Sequence, residues 1–219
     1  MKLSALLLNF LMILTLTGCG ANPAESKTPS GSAAPQTEQP PETGADSSAE
    51  TENAAPADGG TAVVYFSATG TTERVALEIA ELCGAEVFEI MPQEPYTADD
   101  LDYNNDGCRA NREMNDPDAR PAISGDMSAV ADCDTVIIGY PIWWGTAPRI
   151  IQTFMDGCDL GGATVYTFCT SGGSNAERSL SDLREYYPDV NIVSAKRFSS
   201  DASAQDISAW LEEAGITKQ

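Results

Sequence analysis

Apolar positions along the chain form five short runs, and segments with helical spacing separate them. The runs cover residues 62–66, 85–90, 134–140, 162–169 and 189–195. Residues 62–66 are continuously apolar, which is typical of a parallel strand covered on both faces, 134–140 is again an apolar run, and 85–90 alternates. Helical spacing begins at Thr72 and recurs over about 147–155, 176–186 and 203–214. This alternation predicts an α/β domain with a parallel sheet, right-handed crossovers and helices on both faces.

The first predicted strand ends in a hydroxyl-rich turn. Its residues are Ser67, Ala68, Thr69, Gly70, Thr71 and Thr72. Free backbone N–H groups, a helix dipole and four hydroxyls would meet there, and this combination predicts a phosphate site. The turn lacks both the Gly-Lys-Ser/Thr ending of triphosphate loops and the G-x-G-x-x-G pattern, so a single terminal monophosphate is favoured. A plain strand-to-helix turn with Thr capping is the alternative.

Two later turns favour a flat aromatic ligand. One contains Pro141, Ile142, Trp143, Trp144 and Gly145, and the other contains Thr170, Ser171, Gly172 and Gly173. Adjacent Trp side chains cannot easily point the same way, so one is expected to pack inward while the other lines a cleft. Paired glycines let the backbone approach a planar ring, whose carbonyls can accept from the turn's N–H groups. The alternatives are two core Trp residues and an ordinary helix-entry loop.

These stretches together resemble the flavodoxin family. The matching residues of the first stretch are Val63, Val64, Tyr65, Ser67, Gly70, Thr72, Ala76 and Ile79. The turn 67–72 looks like the FMN-phosphate loop, 140–145 resembles a segment that borders the flavin ring in one flavodoxin-like subfamily, and 168–174 is similar to a second ring-contacting loop. The resemblance implies a flavodoxin-like three-layer fold with a five-stranded parallel sheet of order 2-1-3-4-5. It also implies FMN as the cofactor, held by the three turns at the carboxyl ends of the strands.

The first 60 residues are expected to lie outside this domain. Lys2, an apolar run over 5–16 and the small residues before Cys19 resemble a bacterial lipoprotein signal. The resemblance implies cleavage before Cys19, its lipidation, and anchoring without a transmembrane helix; a buried structural helix is the alternative. Residues 20–60 contain no aromatic residue, Val, Ile or Leu, which predicts a flexible acidic tether. The domain over 61–219 would then be exported and held at the outer face of the cytoplasmic membrane, or be a periplasmic or outer-membrane lipoprotein.

Charge narrows the choice of partners. The chain has 33 acidic and 12 basic residues, a net charge of −21, which argues against nucleic acid. Without the seven acidic residues and two lysines that precede residue 61, 26 acidic and 10 basic residues remain, a net charge of −16. With no His and no Lys in the loop, little in the sequence would stabilise an anionic reduced flavin. A low potential for the final one-electron step is therefore predicted.

The cysteines and one long connection complete the expectations. Cys169 lies within a strand pattern and is expected to be a buried small hydrophobe. Four others are predicted at loops or element ends of an exported domain, where one or two disulfides are expected: Cys83, Cys108, Cys133 and Cys158. Residues 91–126, rich in Asp, Asn and Pro, are predicted to be a functional excursion or to contain short helices. Turn chemistry explains the Asp and Asn residues better than calcium does.

Two classes of function follow from these patterns. The first is a surface-tethered electron carrier that uses a redox partner protein or a small acceptor. The second is an FMN-dependent NAD(P)H:quinone or small-acceptor oxidoreductase, in which the excursion covers the flavin and Arg109, Arg112 or Arg120 receives an anionic group. The absence of a nicotinamide-binding motif favours the carrier. An apo scaffold or adhesin is a third possibility, which failure to retain FMN would support.

Overall fold

The computed structural model describes residues 59–216 and residue 218. The predicted signal segment, its Cys19 and the predicted tether up to residue 58 lie outside the described residues. Within the described range, every helix is too short or too polar to span a bilayer.

Seven strands and five helices make up this part of the chain. The strands are β1 (Thr61–Tyr65), β2 (Glu86–Glu89), β3 (Met91–Pro92), β4 (Ile123–Ser124), β5 (Thr135–Pro141), β6 (Thr164–Thr170) and β7 (Asn191–Phe198). The helices are α1 (Thr71–Cys83), α2 (Arg109–Asn115), α3 (Arg149–Gly157), α4 (Glu177–Tyr186) and α5 (Ala204–Ala214). Two single 3₁₀ turns cover Asp99–Leu101 and Ser128–Asp132.

The main sheet is parallel and has five strands. Its order is β2-β1-β5-β6-β7, and every neighbouring pair runs in the same direction. The short strands β3 and β4 form a separate antiparallel pair. When β3 and β4 are left out and the five remaining strands are numbered in chain order, the order becomes 2-1-3-4-5. The predicted flavodoxin-like topology is therefore confirmed.

Each face of the sheet buries its own apolar layer. On one face, Val63 and Ile137 pack with Ile79 of α1 and Trp210 of α5. On the other face, Val64 and Ile138 belong to a cluster with Phe154 of α3 and Leu183 of α4. Because side chains alternate along each strand, continuously apolar strands serve both layers. The result is the predicted three-layer arrangement.

Gly139 lets two central strands approach each other closely. It is paired with Phe168 across β5 and β6, and a Cβ at Gly139 would overlap the Phe168 ring. That ring packs further against Phe198 and Trp210, at centroid distances of 6.1 and 6.5 Å. A side chain at residue 139 would therefore displace an aromatic cluster in the core.

The structure tests the predictions for the 91–126 segment and for the end of the last strand. The 91–126 segment does contain short helices, namely a 3₁₀ turn and α2, and it also contains the β3–β4 pair. A pair of two-residue strands has no periodicity to be recognised in the sequence. The last strand extends to Phe198, beyond the predicted residue 195, because Lys196 and Arg197 continue the pairing with β6 despite their charge.

The predicted disulfides are wrong, since all five cysteines among the described residues are free. Cys83 packs in the layer under α1 and α5, whereas Cys108, Cys133 and Cys158 belong to the opposite layer. Cys108 also caps α2, because its Sγ accepts from the Asn111 amide at 3.3 Å. Burial raises the pKa of the Cys83 and Cys133 thiols, so they remain protonated small hydrophobes. The burial predicted for Cys169 is confirmed.

Candidate functional site

The turn after β1 places backbone donors at the carboxyl edge of the sheet. Gly70 has φ +82° and precedes α1, and its amide donates to Ser67 Oγ at 3.1 Å. No side chain caps this helix. The first amides of an α-helix have no intrahelical acceptor, so those of α1 remain available to an anion. The predicted loop, residues 67–72, therefore forms one such cradle.

A buried hydroxyl pair joins this turn to the one after β6. Thr72 Oγ1 and Thr170 Oγ1 lie 2.8 Å apart, and both side chains are buried. One hydroxyl of such a pair donates to the other, which leaves one hydroxyl proton for a further acceptor. Thr72 was expected to face a phosphate, and the structure shows that it also ties two loops together.

The turn after β5 gives the two tryptophans opposite environments. Trp143 and Thr146 exchange two backbone hydrogen bonds of 3.0 Å around Trp144 and Gly145, which have φ +51° and +83°. Positive φ at both central residues is the signature of a type I′ turn. Trp143 is 3% exposed and Trp144 is 39% exposed. The predicted division into one inward and one outward tryptophan is confirmed.

Trp144 occupies a costly backbone conformation. It is the one non-glycine residue with positive φ in the described part of the chain. Bulky side chains disfavour this region, and such strain is concentrated at functional sites. Type I′ turns prefer Asn-Gly at their two central positions. Here Trp144 occupies the first of these positions, and its indole is exposed at the surface.

Aromatic residues of the 91–126 segment extend the site, and the sequence analysis assigned them no role there. Tyr96 packs against Phe66 and Trp143 at centroid distances of 5.6 and 5.3 Å. Tyr103, 55% exposed, lies edge-on to Trp144 at 4.9 Å. The sequence signal that could have indicated them is that Tyr96 and Tyr103 are the two aromatic residues in a segment rich in Asp, Asn and Pro.

The turn after β6 is held rigidly while its glycines face open space. Ser171 Oγ accepts from the amides of Gly173 and Ser174, at 3.2 and 2.8 Å. The Ser171 amide donates to the Phe198 carbonyl at 3.1 Å. A Cβ at Gly172 or Gly173 would meet no protein atom within 4 Å. This turn can therefore receive a flat ring without rearrangement.

All three turns lie at one edge because their strands are neighbours. β5 pairs with both β1 and β6 in parallel register, so their carboxyl ends share one side of the sheet. The Ile142 amide also donates to the Thr170 carbonyl at 3.0 Å, which links the second and third turns directly. Pro141 ends β5, and Ala68, Thr69 and Thr71 complete the first turn. The arrangement can bind a phosphate at one end and a planar head at the other.

Carboxylates border the anion cradle. A Cβ at Gly70 would lie 3.8 Å from Glu73 Oε2, so this carboxylate is adjacent to the turn. Burial, with Glu89 and Glu73, raises the pKa of the Tyr65 phenol. Burial and Glu73 likewise raise the pKa of Glu89. An anion at this turn would meet amides and hydroxyls next to like charge.

The arginines of the 91–126 segment are engaged internally. Arg109 donates to Glu113 at 2.6 Å and lies 4.1 Å above the centre of the Tyr96 ring. Arg120 donates to Asp156 at 2.5 Å, and Arg112 donates to the Gly107 carbonyl. Tyr96 itself donates to Glu113 at 2.6 Å. Of these contacts, the one between Arg120 and Asp156 joins the segment to α3, and the others lie within the segment. That one of these arginines receives an anionic group stays a prediction.

Comparison with known proteins agrees with this architecture. A family model described as Flavodoxin matches residues 61–214. A candidate flavoprotein from Bacteroides eggerthii is 44% identical, with 72% of this chain and 99% of that one covered, at a TM-score of 0.69. One from Bacteroides uniformis is 40% identical, with 71% and 99% covered, at 0.69.

A flavoprotein from Lactobacillus acidophilus, crystallised in complex with FMN, is 26% identical, with 64% of this chain and 93% of that one covered, at a TM-score of 0.54. No curated protein matches this chain. The family model covers most of the chain, and the observed strand order is the one that the family resemblance implies. The chain therefore belongs to the flavodoxin family.

Proposed function

We propose that the protein binds FMN at the carboxyl edge of its sheet and acts as an electron-transfer flavoprotein. The observation that carries the proposal is the convergence of three turns: an uncapped helix start, an exposed tryptophan and an open glycine turn. Family membership and the FMN complex of the Lactobacillus acidophilus flavoprotein support FMN as the ligand.

The residues present fit FMN at both of its ends. The 67–72 turn offers amides and hydroxyls without a cation, which suits a phosphate monoester better than a triphosphate. The open faces of Gly172 and Gly173 leave room for a planar ring, and Trp144 can stack on it. When bound, FMN would supply the redox chemistry, while these residues bind and orient it.

Features of the site's surroundings favour an electron carrier over an enzyme. Of the three arginines considered as anion receivers, Arg109 and Arg120 are paired with carboxylates, and Arg112 donates to a backbone carbonyl. Trp144 and Tyr103 are exposed at the rim, where a redox partner protein or a small acceptor could approach.

Tethering to a membrane through Cys19 is the second part of the proposal. Its support is the resemblance of residues 1–19 to a lipoprotein signal. Metabolic labelling with radioactive palmitate should label the wild-type protein and not the Cys19→Ala variant. Release of that variant into the soluble extract is expected as well. An unlabelled wild-type protein would overturn this part and leave the FMN proposal intact.

Titration of the purified protein with FMN tests the cofactor and the reaction class. Saturable quenching of FMN fluorescence at one equivalent is expected, together with bound-flavin absorption bands. Addition of NADH or NADPH with a quinone should then give no turnover unless a partner reductase is present. Turnover without a partner would favour the oxidoreductase. Absence of FMN binding would contradict the proposal and favour an apo scaffold.

A further inference from the structure

Arg197, an exposed residue near the end of the edge strand β7, holds the turn after β6. Its Nε and Nη2 both donate to the Ser171 carbonyl, at 3.1 and 2.8 Å. The Ser171 amide donates to the carbonyl of Phe198, the next residue of the same strand, at 3.1 Å. The end of β7 therefore fixes Ser171 from both sides of its backbone.

Fixing this carbonyl also fixes the direction of the next amide. The Ser171 C=O and the Gly172 N–H belong to one planar trans peptide and point in opposite directions. With the carbonyl held by Arg197, the Gly172 N–H points away from that side chain. The amides of Gly173 and Ser174 already donate to Ser171 Oγ. Of these three amides, only that of Gly172 has no acceptor among the described residues.

Arg197 also carries a charge that the described part of the protein does not neutralise. No salt bridge between described residues involves it, in contrast to Arg109 and Arg120, which pair with Glu113 and Asp156. The three predicted turns contain no Lys and no His, and Arg197 adds a cation beside the turn after β6. A cation adjacent to the turn favours an anionic ligand state over a neutral one.

We propose that Arg197 is a positioning residue for the flavin ring. It turns the Gly172 amide toward a ring carbonyl and places a positive charge beside the turn, so that it favours anionic reduced FMN over oxidised FMN. The proposal rests on FMN being the ligand of this site. Arg197 should affect the affinity for FMN by orienting the Ser171–Gly172 peptide. Its positive charge should separately affect the reduction potential of the bound flavin.

Three variants separate these effects. Arg197→Gln removes the charge and the paired donors, whereas Arg197→Lys keeps the charge without the planar fork. Arg184→Gln is the matched control, since Arg184 donates in the same way to the carbonyls of Ile192 and Val193, at 2.9 and 2.7 Å, near the beginning of β7. Circular dichroism and thermal unfolding check that each variant folds.

Fluorescence titration should show about tenfold weaker binding of oxidised FMN in both Arg197 variants. The affinity of Arg184→Gln should equal that of the wild type. Arg197→Gln should lose about a further tenfold in affinity for reduced FMN, which corresponds to a two-electron potential lower by about 30 mV. Arg197→Lys should keep the wild-type potential. Hydrogen exchange of the apo protein should show faster exchange at the Gly173 and Ser174 amides, which donate to Ser171 Oγ, in both Arg197 variants.

Two outcomes would overturn the inference in different ways. If the wild type binds FMN and Arg197→Gln matches Arg184→Gln in affinity and potential, Arg197 has no role toward the ring. If the wild type fails to bind FMN, the proposed function fails and this inference fails with it. Hydrogen exchange in the apo protein then still reports whether Arg197 holds the turn.

Discussion

The helices α1 and α5 both begin at the carboxyl edge of the sheet, yet they begin differently. At α5, Ser203 Oγ accepts from the Asp206 amide at 3.2 Å, and the Asp206 carboxylate accepts from the Ser203 amide at 3.1 Å. This is a complete capping box. At α1, Gly70 provides no side chain and the first amides remain uncapped. The α5 start is satisfied within the fold, whereas the α1 start leaves its donors without a side-chain acceptor.

The arginine side chains show the same contrast between donors that are paired with carboxylates of the domain and donors at the three turns. Arg109 and Arg120 donate to carboxylates of the domain. Arg197 donates to the Ser171 carbonyl and forms no salt bridge with another described residue. The donors of Ser203, Arg109 and Arg120 are thus paired within the domain, whereas the first amides of α1 and the Gly172 amide have no acceptor among the described residues. Substitutions in the first class should change the free energy of unfolding, and those in the second should change FMN affinity.

The largest effect on stability is expected from Gly139→Ala. The new Cβ would overlap the Phe168 ring in the centre of the sheet. Overpacking of this kind should lower the free energy of unfolding by about 3 kcal/mol. Urea denaturation measures the loss. Gly157→Ala, where a Cβ meets nothing within 4 Å, is the control and should be neutral or slightly stabilising. Equal stability of the two variants would contradict the packing argument.

The hydroxyl pair of Thr72 and Thr170 should contribute both to stability and to FMN affinity, and its substitution should give the next largest loss of stability. Thr170→Val should cost about 2 kcal/mol of stability, because a buried hydroxyl loses its partner. The double variant Thr72→Val with Thr170→Val should recover most of that loss, since no hydroxyl is then left unpaired.

FMN affinity distinguishes the double variant from the wild type. It should remain about tenfold weaker even though stability recovers, because the phosphate turn lacks a donor. Thermal unfolding and fluorescence titration of the same samples provide both values. Parallel recovery of stability and affinity would mean that Thr72 serves the fold alone.

Much of this arrangement was predictable from the sequence, for physical reasons. Apolar runs at 62–66 and 134–140 and an alternating pattern at 85–90 identified strands of the main sheet, since buried parallel strands admit few polar residues. The 67–72 and 170–173 turns were recognisable because glycines and hydroxyl residues follow those strands directly. The strand order came from the family resemblance.

What escaped prediction depends on contacts between distant residues. Arg197 reaches Ser171 across 26 positions, through a β6–β7 register that shifts between Val165 and Tyr166. No local pattern encodes such a shift. The left-handed Trp144 was also beyond propensity reasoning, because the rules assign that position to Asn, Asp or Gly. Tyr96 and Tyr103 join the site through a segment whose two-residue strands have no period.

Ser203→Ala tests the stabilising helix start. Loss of the capping box should lower the free energy of unfolding by about 1 kcal/mol. FMN affinity should not change, because the cap lies outside the three turns. Chemical denaturation and fluorescence titration check both expectations. A weaker FMN complex would mean that the two helix starts are coupled.

The smallest effect is expected from Glu73→Gln at the open helix start. Glu73 lies beside Gly70, so its negative charge opposes a bound phosphate. Removing that charge should strengthen FMN binding about twofold at low salt, and the gain should vanish at high salt because exposed charges are screened. Glu78→Gln, further along α1 and outside the first turn, is the matched control.

A pH titration of the same variant sharpens this comparison. Burial and Glu73 together raise the pKa of Glu89 above its ordinary value of 4.5, so the folded protein binds this proton more tightly than the unfolded chain does. Stability from this group is therefore present at low pH and is lost as pH rises through the folded pKa. In Glu73→Gln, the pKa of folded Glu89 should fall, so the loss should be smaller and should be complete at a lower pH. NMR titration of the Glu89 carboxyl measures the shift, and an unchanged pKa would show that Glu73 does not act on this end of the phosphate turn.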